Sequence, residues 1–322
     1  MYGITNAGGG SGTKSTLIIS IDSGSTVEVF SNSTYTTLIK TATEKSAGQF
    51  WVKGLDNGTY YLKATKSGQT TTMAYTISEY GVYRITMAYR TIPAFTYTGS
   101  YAVVKDDNTT ISDISTYNEA NWKIRFLTSG TLKISTLYGA ANGIDVFLVG
   151  AGGSKPSGDY KGGAGGGYTK TYRGQSVAVN TNYSVTVGQP TGTDGGSSKF
   201  GSLTAANGGK ASQSQNGGNG GSGGGGGRSA NGTAGKGGSN GGNGVAANGT
   251  GGTGQGTTTR EFGESSGMLY AGGGGGISDD ATGSNGWSGS ATNFGHGAHG
   301  GRMGSAAASG GSGIVIIRNA RS

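Results

Sequence analysis

The chain has 322 residues, of which 71 are glycine, 3 are proline and none is cysteine. Too few prolines are present for a collagen triple helix, and without cysteine there is neither a disulfide framework nor a thiolate metal site. The net charge is +8, but the basic residues are scattered singly. A nucleic-acid-binding protein usually shows a basic stripe with stacking aromatics, so we expect no nucleic-acid partner and favour attraction to an anionic surface.

The first residues of the sequence do not predict a targeting signal. Residues 1–13 are interpreted as a flexible lead-in that ends in GGGSGT. They contain no basic start and no apolar run, so no secretory signal is predicted. The longest apolar runs, such as 146–149 and 314–317, are too short to span a bilayer. We therefore expect a soluble product that is not secreted by the usual route.

Residues 14–92 show short β-rich runs separated by turn residues and no helical period. The predicted strands are 16–21, 26–30, 49–53, 59–64, 70–77 and 82–88. A spacing of roughly ten residues per strand is typical of a small antiparallel sandwich. Asp56, Asn57 and Gly58 stand between two of these runs and predict a hairpin turn.

One segment of this region carries a family resemblance. Residues 48–68 read GQFWVKGLDNGTYYLKATKSG, with an aromatic strand, a Gly-Thr-Tyr turn and a closing Ala-x-Lys-x-Gly strand. This pattern resembles the carboxypeptidase-regulatory-like, immunoglobulin-type sandwich repeats of surface and phage structural proteins. The resemblance implies a spacer or carbohydrate-binding-like module, and it carries no catalytic residues over to this chain.

A second β-rich region occupies residues 93–322. Its predicted strands are 95–104, 122–127, 131–135, 144–149, 167–172, 183–187, 268–270 and 313–318. The last of these is strongly apolar, which implies that the chain returns at its end to a sheet that it left earlier. We therefore expect the intervening glycine-rich segments to be insertions between strands.

The densest glycine tract, residues 206–256, contains one large apolar side chain, Val245, so it cannot form an ordinary hydrophobic core. Two structures remain open: a flexible Gly/Ser linker and a bundle of polyglycine II helices. Glycine recurs every third residue over 217–226 and again over 232–244. Three residues per turn is the polyproline II period, which would give each helix a bare glycine ridge and let backbones approach closely. This regularity favours the bundle.

Six ordered blocks between 95 and 318 carry a second resemblance. They are DVFLVGAGG (145–153), GGAGGGYTKTY (162–172), YSVTVG (183–188), TTTREFGE (257–264), LYAGGGGG (269–276) and GGSGIVIIR (310–318). Together they resemble the glycine-rich domain of bacteriophage tail and minor structural proteins. The resemblance implies polyglycine II bundles edged by β-structure, which in the phage members bind host surfaces through loops at one end of the bundle. One departure is the interruption at 154–160, which leaves the number of helices open.

No pattern in the chain predicts catalysis, a cofactor or a metal. The only histidines, His296 and His299, lack a nearby third ligand, and the pair Asp279 and Asp280 has too few oxygen ligands for calcium. The glycine string 162–167 is followed by no amphipathic helix, so the phosphate-binding helix N-terminus is missing. We therefore predict a protein that is not an enzyme.

The candidate recognition residues are bulky side chains placed among Gly, Ser, Ala and Asn. They are Trp287, Phe294, His296, His299, Arg302, Met303 and Tyr160. Two interpretations remain open for them. They either pack on the β-frame or cap the glycine bundle, or they form a displayed surface that stacks on sugar rings and anchors an interface.

These observations predict an all-β protein, with a small antiparallel β-sandwich at 14–92 followed by a β-framed glycine-rich domain with polyglycine II helices at 93–322. The expected function is a receptor-binding or tail-tip adhesin of a phage tail or prophage-derived particle, made in the host cytoplasm and located in the virion. Its partners would be a host-envelope glycan or surface protein and other tail proteins, with a homotrimer on the particle left open. A purely architectural fibre or baseplate protein and an ice- or surface-binding bundle are the alternatives.

Overall fold

The computed structural model describes residues 5–7, 14–66, 69–138, 143–158, 161–212, 214–227, 232–238, 241–246, 260–276, 294–300 and 306–321. The chain folds into two compact units: residues 1–92 with 115–119, and residues 93–114 with 120–322. The fold is all-β, as predicted, and the described residues contain no α-helix. No helix in this part of the chain is long and apolar enough to cross a membrane.

The first unit is a sandwich of two sheets. Its strands are β1 (Thr5–Ala7), β2 (Ser15–Ser20), β3 (Thr26–Phe30), β4 (Leu38–Thr41), β5 (Thr43–Ser46), β6 (Gln49–Leu55), β7 (Gly58–Lys66), β8 (Gln69–Ile77) and β9 (Val82–Thr86). One sheet has the order β1-β9-β2-β6-β5 and the other the order β4-β3-β7-β8. All neighbouring strands are antiparallel except β2 and β9, which run parallel.

One side-chain core fills the space between these two sheets. Leu17 and Ile19 of β2 face inward from the first sheet, and Val27, Val29 and Leu62 face inward from the second. All five are fully buried. The apolar residues of the predicted β-rich runs therefore fill the core of the sandwich.

The predicted hairpin at Asp56, Asn57 and Gly58 is wrong. Strand β6 pairs with β2 and β5, whereas β7 pairs with β3 and β8, so the turn carries the chain from one sheet to the other. Both strands bury apolar side chains in the same core, which requires them to face each other rather than pair side by side. The Tyr60 hydroxyl donates to the Asp56 carbonyl across the turn at 2.8 Å.

Three strands of this unit were not predicted. β4 and β5 are exposed along their whole length and form sheet edges, so they lack the apolar alternation that marks a strand in a sequence. Within the expected lead-in, the structure describes Thr5–Ala7, which pairs with Val82 to Arg84 of β9. The other residues of 1–13 lie outside the described part of the chain.

The second unit contains two further sheets. Its strands are β10 (Ala94–Tyr97), β11 (Tyr101–Lys105), β12 (Trp122–Phe126), β13 (Gly130–Thr136), β14 (Ile144–Val149), β15 (Thr169–Gln175), β16 (Asn182–Thr186), β17 (Lys199–Phe200) and β18 (Ile314–Asn319). The sheet orders are β10-β13-β16-β17 and β11-β12-β18-β14-β15. The single strand predicted at 95–104 is thus divided between both sheets. It breaks at Gly99, where a Cβ would lie 2.7 Å from the Ser129 carbonyl oxygen.

The apolar closing strand lies in the middle of the five-stranded sheet. β18 pairs with β12 on one side and with β14 on the other, so the predicted return to an earlier sheet is confirmed. Every residue of β14 and all but the last of β18 are buried. Between them, Phe147, Val149, Ile314 and Ile316 build a core with Tyr270. This sheet is the frame from which the glycine segments leave and to which they return.

The glycine segments form a bundle with a three-residue hydrogen-bonding period. In the central run 162–168, Gly162, Gly165 and Tyr168 donate their N–H groups to the carbonyls of Ser214, Lys210 and Asn207. Gly163 and Gly166 donate to a second segment at Gly225 and Ser222, and Ala164 and Gly167 to a third at Ala298 and Gly295. Successive N–H groups therefore point in three directions, as a helix with three residues per turn requires.

Three further stretches of the chain donate N–H groups to the carbonyl groups of the same run. Gly218 and Gly221 donate to the carbonyls of Gly163 and Gly166, Gly274 donates to Ala164, and Gly153 donates to Gly165. Six described segments thus surround the central run. Because its N–H and C=O groups are used between helices rather than within one, the arrangement is that of polyglycine II.

Close packing explains why these positions are glycine. A Cβ on Gly163 would lie 2.0 Å from the Gly274 carbonyl oxygen, and one on Gly166 would lie 2.0 Å from that of Ala271. Neither distance leaves room for a methyl group. The tract 206–256 takes part through the same spacing, since a Cβ on Gly223 would lie 2.0 Å from the Gly235 oxygen. The linker alternative is therefore excluded for the described parts of the tract.

Candidate functional site

The glycine bundle has two ends, one at the frame and one away from it. Residues 150–155 leave β14, and residues 162–168 run antiparallel to them, with Gly150 bonded to Tyr168 and Gly153 to Gly165, before entering β15. The connection between these runs therefore lies away from the frame. At about 3.1 Å per residue, the run 162–168 spans about 20 Å.

Several separate segments meet at this second end. Ser214 accepts the Gly162 N–H, Gln215 accepts the Gly227 N–H, and Ala306 accepts a hydrogen bond from the Lys155 side chain. We call this surface the far end; its described residues are Lys155, Lys161, Ser214, Gly227, Gly300 and Ala306. It gathers residues that are distant in sequence onto one face of the bundle.

Two lysines lie at the far end, one of them buried and the other half-buried. The Lys155 ammonium donates to the Ala306 carbonyl at 2.5 Å, and the residue is 2 % exposed. Burial, together with the charge of nearby Lys161, lowers the pKa of Lys155. Lys161 is half-buried, and its stem lies 3.0 Å from where a Cβ of Gly158 would stand. The two cations are thus held beside the connection that contains residues 156–160.

Four of the predicted recognition residues, Tyr160, Trp287, Arg302 and Met303, lie outside the described residues. The residues that flank three of them do have a defined place. Gly158 and Lys161 flank Tyr160, and Gly300 and Ala306 flank Arg302 and Met303; all four flanking residues stand at the far end. Trp287 differs, because the described segments on either side of it stop at opposite ends of the bundle, at Gly276 and Phe294.

Phe294 lies at the frame end. It is half-buried and packs against the core that contains Phe147, Tyr270 and Ile316. The Arg125 guanidinium lies 5.5 Å from its ring centre, within the range of a cation–π contact. The structure therefore separates Phe294 from the far end and gives it packing partners on the frame.

The two predicted histidines are half-buried inside the bundle. The His296 carbonyl accepts the Gly311 N–H at 2.8 Å, and His299 Nδ1 accepts the Gly275 N–H at 3.2 Å. Burial, with a contribution from His296, lowers the pKa of His299, so its imidazole is neutral at neutral pH. Among the described residues, no group of three His, Asp or Glu side chains is placed to hold a metal ion.

A cluster of buried charges that sequence reasoning missed lies between the frame and the segment 260–270. The Lys123 ammonium lies 2.8 Å from Glu261 Oε1, and both side chains are 4 % exposed. The other Glu261 oxygen accepts the Tyr270 hydroxyl at 3.3 Å. Lys123 also donates to the Asp106 carbonyl and the Asn108 side chain, each at 3.1 Å. The buried ammonium is therefore fully partnered.

Arg318 and Asp145 form the second half of this cluster. Arg318 Nε lies 3.2 Å from Asp145 Oδ2, and its guanidinium stacks on the Phe262 ring with 4.0 Å to the ring centre. Glu264 binds the other side of the guanidinium, and Arg173 lies 3.3 Å from Asp145 while donating to the Phe262 carbonyl. Phe262 has a left-handed backbone, with φ of 53°, so these contacts hold a tight turn against the sheet.

The cluster borders a cavity of about 330 Å³ lined by Asp107, Lys123, Glu261, Glu264 and Arg318, among others. Each described buried charge there has a partner of opposite sign. The arrangement therefore fastens the returning segment to the frame rather than leaving a group free for chemistry. A sequence signal exists, since Lys123, Asp145 and Arg318 each interrupt or end an apolar strand.

The sequence of this chain was compared with those of known proteins and protein families. Among proteins with curated descriptions, no sequence matches the chain. A family model described as a glycine-rich domain matches residues 127–320, a range that runs from the end of β12 through the bundle to the closing strand β18. The chain therefore belongs to the glycine-rich domain family.

Proposed function

We propose that this protein is a tail protein of a bacteriophage or of a phage-derived particle, and that it binds the host cell surface through the far end of its glycine bundle. The observation that supports the proposal most directly is the gathering of separate chain connections at the far end. The scaffold beneath them is held by backbone hydrogen bonds, so residues in the connections can vary without disturbing it.

The charge of the far end suits an envelope ligand. Lys161, which is half-buried, carries an ammonium group beside the connection that contains Tyr160, and cell envelopes carry anionic glycans. A surface protein with an acidic patch would be the other partner class. Affinity at one site would be modest, and several copies on one particle would supply avidity. The proposal assigns no enzymatic step to the chain.

A purely architectural role is the second candidate, and a specific observation favours it. Phe294 packs against the frame, and His299 is bonded within the bundle. Both therefore have structural partners that explain their presence. The recognition proposal accordingly rests on the far end and its connections, and on Tyr160, Arg302 and Met303 among the predicted residues.

The test is saturable binding of a fluorescent-protein fusion of the full chain to a panel of Gram-positive and Gram-negative cells. A Tyr160→Ala, Arg302→Ala, Met303→Ala triple variant should lose at least tenfold in affinity for the cells that the wild type binds. Point variants are preferable to removing 278–308, because residues 294–300 form backbone hydrogen bonds inside the bundle.

The matched control is a triple variant at exposed positions outside the far end: Tyr80→Ala, Lys133→Ala and Val179→Ala. It should bind as the wild type does. Equal binding by both triple variants would remove the far end as the binding surface. Absence of wild-type binding to every cell in the panel would favour the architectural role.

A further inference from the structure

A shallow cavity of about 290 Å³ lies on the sandwich beside the segment that joins β4 to β5. This segment passes from the edge of one sheet to the edge of the other. Besides Val52, the cavity is lined by three lysines, two threonines and a tryptophan, which we call the lysine–tryptophan patch: Lys40, Thr41, Thr43, Lys45, Trp51 and Lys53.

Two contacts position Lys40 and Lys53 within the patch. The Lys40 ammonium donates to the Lys53 carbonyl at 2.5 Å, which ties β4 to β6 and leaves two further N–H donors on Lys40. The Lys53 ammonium lies 5.4 Å from the Trp51 ring centre, a cation–π distance. Thr43 is the register partner of Trp51 on the neighbouring strand, and both residues line the cavity.

The charge of the patch is not compensated by its own lining. None of the described residues that line the cavity is acidic. Glu44, which lies between Thr43 and Lys45 in β5, uses its carboxylate to accept the N–H groups of Gly48 at 2.8 Å and Gly24 at 3.3 Å. It is thereby bound to the turns at the end of the sheet, and the three ammonium groups remain available to an anion.

We propose that the lysine–tryptophan patch binds an anionic glycan. Ammonium groups bind phosphate or carboxylate as point charges, threonine hydroxyls both donate and accept hydrogen bonds, and a flat aromatic face packs against the apolar face of a sugar ring. All three features line one cavity. The site lies in the sandwich and does not depend on the proposed function of the far end.

Nucleic-acid binding and protection of the sheet edges are two alternative roles for the patch, and each would require different features from glycan binding. Single-stranded nucleic acid is bound by stacking several bases on successive aromatics along a groove, whereas this patch has one ring. Lysines on edge strands also discourage pairing between sheets of different molecules, and β4 and β5 are edge strands. Protection of the edges needs the charges but not the Trp51 ring, so the ring discriminates between edge protection and glycan binding.

The test measures binding of the full chain to four immobilised polymers by biolayer interferometry: poly(glycerol phosphate), polygalacturonate, dextran and a single-stranded oligonucleotide. The wild type should bind a charged glycan saturably, more weakly at higher salt, and should not bind dextran. The stronger of the two charged glycans identifies phosphate or carboxylate as the preferred anion. Binding of the oligonucleotide as tightly as the better glycan would overturn the ligand class.

Variants locate the site. A Lys40→Gln, Lys45→Gln, Lys53→Gln triple variant should lose at least tenfold in affinity. A Lys63→Gln, Lys133→Gln, Lys199→Gln variant, with the same change in net charge at positions outside the patch, should lose less than threefold. Equal losses in the two would show that only net charge matters and would overturn the proposal. Lys45→Gln alone, at an exposed position, should lose a few-fold and covers the case of a misfolded triple variant.

The indole ring provides the second readout. Trp51→Phe should retain most of the affinity, whereas Trp51→Leu should lose about tenfold, with folding checked by circular dichroism and size-exclusion chromatography. Unchanged affinity in Trp51→Leu would assign the lysines to edge protection alone. So would a triple lysine variant that aggregates while its soluble fraction binds the glycan as the wild type does.

Discussion

The sandwich and the glycine bundle bury their chains in opposite ways. In the sandwich, inward-facing side chains such as Leu17, Val29 and Leu62 fill the space between two sheets. In the bundle, backbones touch one another directly, and the sites where side chains would stand are filled by carbonyl groups of neighbouring segments. The sandwich excludes water by packing apolar side chains. The bundle excludes water by packing backbones closely at glycine residues, which have no side chain.

The difference matters for stability. A buried leucine contributes about 1.5–3 kcal/mol by leaving water. A backbone hydrogen bond contributes about 0.5–1.5 kcal/mol net, while ordering one residue costs about 1–2 kcal/mol. A glycine helix therefore cannot stand alone. It is stable where six neighbouring stretches bind its N–H groups and most of its C=O groups and where strands such as β14, β15 and β18 fix its ends.

The largest effect should come from adding one methyl group at the centre of the bundle. In Gly166→Ala the new Cβ would meet the Ala271 carbonyl oxygen at 2.0 Å, so a helix must move and several hydrogen bonds must break. We expect a loss of about 4 kcal/mol or more in the free energy of unfolding. Urea denaturation, with hydrogen exchange of peptides from 150–168, measures it.

The control for that substitution is Gly81→Ala in the sandwich. There the nearest atom to the new Cβ is a Tyr83 ring carbon at 3.8 Å, an ordinary contact. The free energy of unfolding should change by no more than about 0.5 kcal/mol. Equal effects of the two substitutions would mean that the bundle is packed no more tightly than a surface turn.

Breaking the buried ion pair tests a third kind of burial, that of charge. Lys123→Met leaves the Glu261 carboxylate buried without its cation and should cost about 4 kcal/mol. The double variant Lys123→Met, Glu261→Gln removes both charges and should recover part of this loss, while Lys133→Met on the exposed face of β13 should have little effect. Chemical denaturation of the four proteins is the measurement. A double variant no more stable than Lys123→Met would show that the pair does not act as a unit.

Removing side-chain volume from the sandwich should have a smaller effect. Leu62→Ala creates a cavity at a fully buried position and should cost about 3 kcal/mol. Faster hydrogen exchange should be found in peptides from 58–66 and not in those from 150–168. Leu38→Ala, at a position that is 50 % exposed, is the control. Loss of protection in both regions would show that the two kinds of core unfold together.

The smallest effect should be that of acid on carboxylates of the second unit. Burial alone would raise the pKa of Glu264. The hydrogen bond from Arg318 and its charge together lower the pKa by a larger amount, so the net shift is downward. Burial likewise raises the pKa of Asp194, and hydrogen bonds from Lys210 and the Ala211 N–H outweigh it. Both groups stabilise the fold above their unfolded pKa values, and this contribution is lost as the pH falls through the lower folded values.

Thermal denaturation followed by circular dichroism between pH 7 and pH 3 measures this acid effect. The melting temperature of the wild type should fall with pH. A Glu264→Gln, Asp194→Asn double variant should be less stable at pH 7 and should show a shallower decline. An identical decline in both proteins would assign the acid sensitivity to other groups.

Some features were predictable because they depend on local pattern. The short β-rich runs 16–21 and 26–30 marked two core strands of the sandwich, and the apolar run 314–317 marked a strand that returns to a sheet. The charged cluster was not predicted, since its members are far apart in sequence and the partner of Lys123, Glu261, follows the entire glycine tract. The edge strands β4 and β5 were missed because they bury nothing.

The candidate surface was predicted in part. The sequence identified bulky residues among small ones, and this rule applies equally to a packed residue such as Phe294 and to a residue in a connection. Composition cannot separate these cases, because burial depends on which segments become neighbours. Strand direction and helix register place the residues that flank Tyr160 and Arg302 at one end of the bundle and Phe294 at the other.

By itself the sequence determined the two kinds of local structure in this protein: strands in short β-rich runs between turn residues, and bare helical ridges where glycine recurs every third residue. Both follow from the geometry of a single segment. Only the tertiary structure decided which ridge meets which carbonyl, that Asp56 to Gly58 crosses between sheets instead of closing a hairpin, and that three lysines line one cavity with Trp51. These depend on contacts between distant segments, and a glycine segment, having no side chain, carries no local mark of its partner.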